Sequence, residues 1–160
     1  DIKLDQLVFG SDLEFAMPVF DLSGLNILLL DDSRAIRTVL TTLLRGLGVN
    51  RIYQSRDADE ALVTARLCRP DLLLVDYDLG VTSGLEAISR FRDTAVSPHP
   101  DLPIILLAPP NLSYLARGAE AAGADAILPK PVNAGTLGAR IHAVLQGGAC
   151  ASAARLSHQA

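Results

Sequence analysis

Four aspartates and one lysine of this 160-residue chain stand where acidic and basic side chains can act on one ligand. Asp31 with Asp32, Asp76 with Asp78, and Lys130 each follow a short apolar run. Carboxylates that converge without a cation repel one another, so we expect a hard divalent ion, most simply Mg2+, among them. Lys130 adds a compact positive charge suited to a phosphoryl or carboxylate oxygen. These residue types predict an acidic Mg2+ pocket in which an aspartate carboxylate attacks phosphorus.

Short apolar runs position these side chains at the ends of strands. Residues 25–30 run into Asp31, and residues 72–75 run without a break into Asp76. Such continuous runs are typical of strands buried on both faces of a parallel sheet. Open α/β sheets bind ligands at the carboxyl ends of their strands. The candidate site is therefore predicted at that edge.

The rest of the pattern alternates strands with helices. Apolar residues three and four apart predict a helix that Ser33 caps and that Gly46 and Gly48 end. The other predicted strands cover 51–55, 103–107 and 126–128. A second predicted helix opens at Asp57 or Asp59, and a third spans 84–92. A fourth spans 112–122 behind an Asn111 cap. The last runs from an Asn133 cap to residue 145, before Gly147 and Gly148.

Five such βα units predict an α/β fold, a five-stranded doubly wound parallel sheet of the flavodoxin-like kind with helices on both faces. In this sheet we expect the first, third and fifth strands side by side, so that all the site residues share one cleft. The predicted domains are an N-terminal appendage over 1–24, a main domain over 25–146 and a flexible tail over 147–160. In the appendage, Leu4, Leu7, Val8 and Phe15 suit a short helix, and residues 16–20 suit an extended segment.

Composition limits the function classes. The net charge of -4 argues against a general nucleic-acid or anionic-membrane surface. Cys68 and Cys150 form no metal or redox spacing, which fits a reducing compartment. No segment is as long as a membrane span, and the amino end lacks the order of charges typical of a signal peptide. We expect a cytoplasmic protein that binds neither nucleic acid nor membrane.

With these motifs in place, the chain resembles the receiver domain of two-component response regulators, most closely the single-domain chemotaxis type, over about residues 25–146. The shared pattern is Asp-Asp after the first strand, Asp76 at the end of the third, Gly84 eight residues later, and Lys130-Pro131 after the fifth. The resemblance implies that Asp76 is the phosphate acceptor and that Lys130 pairs with a phosphoryl oxygen. It also implies a cis peptide between Lys130 and Pro131.

The resemblance further implies how the metal is held. Asp32 and Asp76 would ligate Mg2+ through their side chains, and Asp78 through its backbone carbonyl. Asp31 would act through a water or orient Asp32. The phosphoryl donor would be a phosphohistidine of a histidine kinase or a histidine phosphotransfer protein. Output would pass to another protein, a second copy of the chain in a homodimer, or a domain absent from this sequence, since no DNA-binding or enzymatic domain follows the last helix.

The chain departs from the family pattern at the end of the fourth strand, in the fifth strand and in the loop after Asp76. Ala108 stands at the end of the fourth strand, where Ser or Thr is usual, and Pro109 has no N–H for the phosphoryl group. A charge-assisted hydrogen bond contributes about 1.5–3 kcal/mol, so we expect a poorly stabilised phosphorylated state. Ile127 replaces the usual aromatic switch of the fifth strand, so the usual relay between these positions cannot operate. Gly80 in the loop after Asp76 predicts a looser conformation there.

We therefore predict a receiver domain, not an enzyme, that accepts a phosphoryl group on Asp76 and signals through the fourth helix, fifth strand and fifth helix. Ala108, Pro109 and Ile127 favour one alternative, a scaffold or interaction module that works without phosphorylation. Another alternative is a phosphatase of the haloacid dehalogenase type, because Asp76 and Asp78 offer a nucleophile and an acid two residues apart. That family expects Thr or Val where this chain has Gly80.

Overall fold

The computed structural model describes residues 7–9, 16–18, 21–110 and 114–157, with side chains described for 21–110 and 114–147. Seven strands and five helices lie in these residues. The strands are β1 (Leu7–Phe9), β2 (Ala16–Pro18), β3 (Asn26–Leu30), β4 (Arg51–Ser55), β5 (Leu72–Asp76), β6 (Ile104–Ala108) and β7 (Ala126–Pro129). The helices are α1 (Arg34–Gly46), α2 (Ala58–Cys68), α3 (Gly84–Arg92), α4 (Leu115–Ala122) and α5 (Ala134–Ser157).

Five parallel strands form the main sheet, in the order β4-β3-β5-β6-β7. Every residue of β5 and β6 is buried, which explains why both strands appear in the sequence as continuous apolar runs. Helices cover both faces. The predicted flavodoxin-like, doubly wound sheet is therefore confirmed.

Two apolar layers hold the helices to the sheet. On one face, α2, α3 and α4 pack through residues such as Leu62, Phe91 and Ala119. On the other face, α1 and α5 pack through residues such as Leu44 and Ile141. These layers leave the carboxyl ends of the strands open for polar side chains.

The expected adjacency of the first, third and fifth strands is wrong for the fifth strand. β5 pairs with β6 and β6 pairs with β7, so β6 separates the third strand of the main sheet from the fifth. The reason is the crossover pattern: once the order has reversed at β3, each new strand adds to the outer side of the last one. Lys130 must therefore reach Asp76 across the end of β6.

Three predicted helix caps are present. The side chains of Ser33, Asp57 and Asn133 accept the backbone N–H three residues further on, at 3.4, 2.8 and 2.9 Å respectively. These bonds satisfy N–H groups that have no partner inside the helix. Asp57, rather than Asp59, therefore opens α2. The expected Asn111 cap lies outside the described residues, and α4 begins at Leu115.

The last helix is longer than expected. α5 spans 24 residues and continues through Ser157, so its expected end at Gly147 and Gly148 is wrong. Each internal glycine costs about 1 kcal/mol relative to alanine, and the alanine-rich segment that follows favours continuation of the helix. No helix in the described part of the chain combines the length and apolar character needed to cross a bilayer. The flexible tail and the domain boundaries stay predictions.

The amino-terminal segment contains strands rather than the helix that was one option. β1 pairs antiparallel with β2, so Leu7 and Val8 are extended, and the extended option is confirmed over Ala16–Pro18. Cross-strand pairing gives both backbones the partners that a short isolated helix would have to find within itself. Leu4 and Phe15 lie outside the described residues.

A buried ion pair ties the amino ends of β6 and β7 to neighbouring loops. Arg92 Nη2 lies 3.0 Å from Asp125 Oδ2, and the two side chains are 12% and 13% exposed. The guanidinium also donates to the carbonyls of Pro100 at 2.8 Å, Leu102 at 2.6 Å and Gly123 at 3.0 Å. Asp125 Oδ2 accepts the N–H that opens β6. Both the guanidinium group and the carboxylate of this pair therefore have further hydrogen-bond partners.

Candidate functional site

The end of β3 places the first two carboxylates. Asp31 extends the parallel ladder by one residue, because its N–H donates to the Ser55 carbonyl at 3.1 Å. Its Oδ1 accepts the N–H of Ser33 at 2.8 Å, which directs the chain into α1. Asp31 is thus 1% exposed, whereas Asp32 is exposed.

β5 places the third carboxylate, and β7 brings the cation to it. Asp76 is the last residue of β5, lies opposite Leu107 and is buried. Lys130 donates its N–H to the Ala108 carbonyl at 2.8 Å, which continues the ladder past the end of β6. Its ammonium contacts Asp76 Oδ1. The long lysine side chain therefore spans the strand that separates β5 from β7.

Asp31, Asp32 and Asp76 form one acidic cluster. Each offers a carboxylate oxygen within 4.8 Å of the other two. Within the described residues, the buried atom Asp31 Oδ2 has no hydrogen bond, whereas Asp76 Oδ1 contacts the Lys130 ammonium. Buried carboxylate oxygens without donors are costly. Mg2+ prefers such oxygens as ligands, so this donor set fits the ion.

The environment of Asp31 favours its neutral form. Burial raises the pKa of the Asp31 carboxyl from 3.8 to about 6. The Ser33 N–H opposes this rise, the negative charges of Asp76 and Asp32 add to it, and Lys130 also opposes it. A cation bound beside Asp31 would reverse the balance, because a nearby positive charge favours the carboxylate.

The carboxylate of Asp78 lies outside this cluster. Asp78 is exposed, and its Oδ1 accepts the N–H of Gly80 at 2.9 Å. An isolated bridge joins Asp78 to Ser83, and Leu79 N–H donates to the Thr82 carbonyl at 3.1 Å. The side chain of Asp78 therefore shapes the loop, which leaves only its backbone carbonyl for the predicted metal role.

Two glycines permit close packing around the acidic cluster. Gly80 has a φ of +79°, and a Cβ there would lie 3.1 Å from Asp32 Oδ2. At Gly84, the first residue of α3, a Cβ would lie 2.2 Å from the Asp76 carbonyl oxygen. Gly84 also donates its N–H to the Tyr77 carbonyl at 2.6 Å. The start of α3 thus rests directly on the backbone that carries Asp76.

The positions that depart from the family pattern lie at the end of β6 and within β7. Ala108 ends β6, is 3% exposed and brings no hydroxyl. Pro109 follows it and brings no N–H. Ile127, in β7, is half-buried and packs against the core layer of α2, α3 and α4. The peptide between Lys130 and Pro131 is cis, as expected.

Arg37 contacts the backbone of the site, although we grouped it with the solvent-exposed arginines from the sequence. Its Nη1 donates to the Asp31 carbonyl at 2.6 Å, and its Nε donates to Gln54 Oε1 at 3.2 Å. Arg37 therefore braces the turn between β3 and α1. The available signal was its position four residues after the Ser33 cap, on the turn of α1 that faces the strand end.

Comparison with known families gives this arrangement a name. A family model described as the response regulator receiver domain matches residues 27–142. The chain belongs to this family. The match includes all five residues of the predicted site, from Asp31 to Lys130.

Two curated proteins with sequences similar to this chain are consistent with the family match. The receiver domain is 32% identical over 121 residues to the KDP operon transcriptional regulatory protein KdpE of Escherichia coli strain K12, covering 76% of this chain and 51% of that protein. It is 37% identical over 123 residues to the transcriptional regulatory protein AfsQ1 of Streptomyces coelicolor, covering 77% and 52%. The chain thus spans about half the length of these curated relatives.

A solved structure shows the same fold. The chemotaxis response regulator CheY4 of Vibrio cholerae superposes with a TM-score of 0.66 and is 28% identical, over 75% of this chain and 98% of that one. Receiver domains act in two-component signalling and interact with histidine kinases and downstream partners. The predicted family and its chemotaxis-like fold are therefore confirmed.

Proposed function

We propose that this receiver domain accepts a phosphoryl group on Asp76 from a phosphohistidine of a histidine kinase or phosphotransfer protein. The observation that carries the proposal is the cluster of three carboxylates within 4.8 Å, with Lys130 on Asp76. A purely structural role does not require a buried acidic oxygen without a donor, such as Asp31 Oδ2, because such a group lowers stability. The family's use of an acidic magnesium site supports the same assignment.

Each residue of the site has its own role in the proposed phosphoryl transfer. A carboxylate oxygen of Asp76 attacks phosphorus, and the phosphorus–nitrogen bond of the donor breaks, leaving its electron pair on the imidazole. Asp31, Asp32 and Asp76 would hold Mg2+ with the Asp78 carbonyl, and the bound ion supplies charge neutralisation. Lys130 moves from Asp76 to an oxygen of the transferred group.

The acyl phosphate formed this way lacks two usual partners. Ala108 offers no hydroxyl and Pro109 offers no N–H, so Lys130 is the main protein contact left for the phosphoryl oxygens. Each missing charge-assisted bond contributes about 1.5–3 kcal/mol. We therefore propose a phosphorylated state that forms but is weakly coupled to the loop after β6.

The output surface in this proposal is formed by α4, β7 and α5. A groove of about 450 Å³ between α4 and β7 is lined by Ala119, Gly123 and Ile127, among others. Small side chains leave room there for an apolar group of a partner. The partner is another protein or a second copy of the chain.

Beryllofluoride with Mg2+, a mimic of the phosphoryl group, tests the acceptor directly. We expect the wild type to bind it, seen as amide shifts in residues near Asp76, and we expect Asp76→Asn not to bind. Asp101→Asn is the matched control, because it removes an exposed carboxylate outside the cluster. Binding by Asp76→Asn would overturn the assignment of the acceptor.

A scaffold that works without phosphorylation is the second candidate, favoured by Ala108, Pro109 and Ile127. It predicts that a partner binds wild type and Asp76→Asn equally, with or without beryllofluoride. An enzyme of the dehalogenase type predicts repeated release of phosphate from a small ester. A receiver is instead labelled once, so a single turnover per chain supports our proposal against the enzyme.

A further inference from the structure

A pocket of about 540 Å³ lies at the amino edge of the sheet, between the end of α2 and the loop 93–103. Arg66, Arg69 and His99 line it, with Asp71 as its one acidic residue. Asp71 directs Oδ2 to the N–H of Asn26 at 2.8 Å, which points this oxygen at the backbone, and its single negative charge is outnumbered by the two guanidinium groups. The length of β5 separates this pocket from Asp76 by about 16 Å.

The two arginines of this pocket differ from several other arginines in their hydrogen bonding. Arg37, Arg90 and Arg92 make hydrogen bonds through their guanidinium groups. Within residues 21–110 and 114–147, the guanidinium groups of Arg66 and Arg69 have neither a hydrogen bond nor an ion pair. In a chain of net charge -4, two unpaired guanidinium groups in one concave site form a local positive potential.

The backbone holds one of these arginines in an uncommon conformation. Arg69 has φ 47° and ψ 66°, and it is the one non-glycine residue with positive φ in the described part of the chain. Helices usually place glycine at this position, because a Cβ is disfavoured there. Pro70 follows and restricts the backbone further. The end of α2 therefore presents Arg69 at the pocket in a fixed backbone geometry.

We propose that this pocket binds a small anionic ligand of the diphosphate or phosphate-ester class, held by Arg66 and Arg69. A guanidinium group offers two parallel N–H donors that match phosphate oxygens. The pocket volume lies in the range of ordinary small-molecule sites. This site is separate from the acidic cluster and does not depend on phosphorylation of Asp76.

Inorganic pyrophosphate is the probe, titrated at constant ionic strength in the presence of EDTA. Without a divalent cation the acidic cluster repels anions, so binding reports on the basic pocket. We expect amide and arginine Nε–H shifts confined to residues 65–71 and 97–100. We expect Arg66→Gln and Arg69→Asn each to weaken binding on the order of tenfold. Asparagine tolerates the left-handed backbone, so Arg69→Asn keeps the helix end.

Arg117→Gln is the matched control, because it removes the charge of an exposed arginine on α4. If it weakens binding as much as the pocket variants, or if shifts spread over all exposed arginines, the pocket is not a specific site. The absence of binding also overturns the proposal. Arg69→Gly removes the strain of the left-handed backbone and separates two roles of this residue. If Arg69 binds the ligand, the variant should bind pyrophosphate more weakly and be more stable. If Arg69 only ends the helix, the variant should change in stability alone.

Discussion

Two charged clusters lie at opposite edges of the same sheet and differ in how their charges are satisfied. At the amino edge, Arg92 donates four hydrogen bonds and is paired with Asp125. At the carboxyl edge, Asp76 contacts Lys130, but the described residues supply no donor for the buried Asp31 Oδ2. The charges of the first cluster are paired with each other and with backbone groups, whereas one buried oxygen of the second has no donor among the described residues. Incomplete satisfaction, rather than burial of charge, therefore distinguishes the candidate functional site.

The largest effect that would test this contrast is the loss of phosphoryl transfer in Asp76→Asn. We expect no labelling from a phosphorylated donor, because the amide cannot act as the nucleophile. We expect the unfolding free energy without Mg2+ to stay the same or rise, because one member of a repelling cluster has lost its charge. Intact mass and urea denaturation measure the two quantities. Labelling of the variant, or a large loss of stability, would contradict a functional rather than structural role.

Arg92→Met is expected to give the opposite result. It leaves Asp125 buried without its cation, so we predict a loss of about 3–5 kcal/mol in unfolding free energy. Mg2+ binding by the folded protein should be unchanged. The matched control is Arg90→Met, which breaks an ion pair whose side chains are 42% and 83% exposed and should cost about 0–1 kcal/mol.

The double variant Arg92→Met with Asp125→Leu sharpens this test. Removing both charges should recover much of the lost stability, because no charged group then remains buried without a partner. A double variant as unstable as Arg92→Met alone would show that packing, not charge pairing, holds the amino edge together.

Restoring the missing donors at the carboxyl edge should produce a smaller gain. Ala108→Thr with Pro109→Ala adds a hydroxyl and an N–H beside the phosphoryl position. We expect beryllofluoride to bind at least about tenfold more tightly, from one or two charge-assisted hydrogen bonds. Fluorescence or NMR titration measures this change, with Pro110→Ala as a control that adds no hydroxyl and leaves Pro109 in place. Equal affinity in both variants would mean that other features limit the site.

The smallest expected effect is a dependence on pH. Between pH 3.8 and about 6, native Asp31 retains a proton that the unfolded chain has released. Without divalent cations, the contribution of Asp31 therefore lowers the unfolding free energy as pH rises through this window, and it is constant above it. Mg2+ affinity should rise over the same window, by roughly tenfold per pH unit at most, because the proton competes with the ion. Calorimetry of the wild type and of Asp31→Asn, in which this dependence should disappear, measures both trends.

The sequence was sufficient for the fold and for the acidic residues, because both follow local rules. Asp31, Asp76 and Lys130 each end an apolar run, and parallel strands bring such ends to one edge of the sheet. The order of the last strands was not predictable from those runs, since strand order depends on packing between distant elements. Arg37 and Arg92 were missed for a similar reason: their partners are backbone carbonyls and side chains distant in the sequence, which leave no local sequence signal. The end of α5 was missed because a pair of glycines is only a weak local stop within an alanine-rich segment.

The contact of Gly84 with the Asp76 carbonyl has a mechanical consequence. No side-chain atoms lie between the two backbones, so nothing soft is available there to absorb a displacement. A shift of the Asp76 main chain therefore moves the first turn of α3 with it. Any flexibility between them is then confined to the span 77–83, whose stiffness sets how far a displacement of Asp76 travels along the chain.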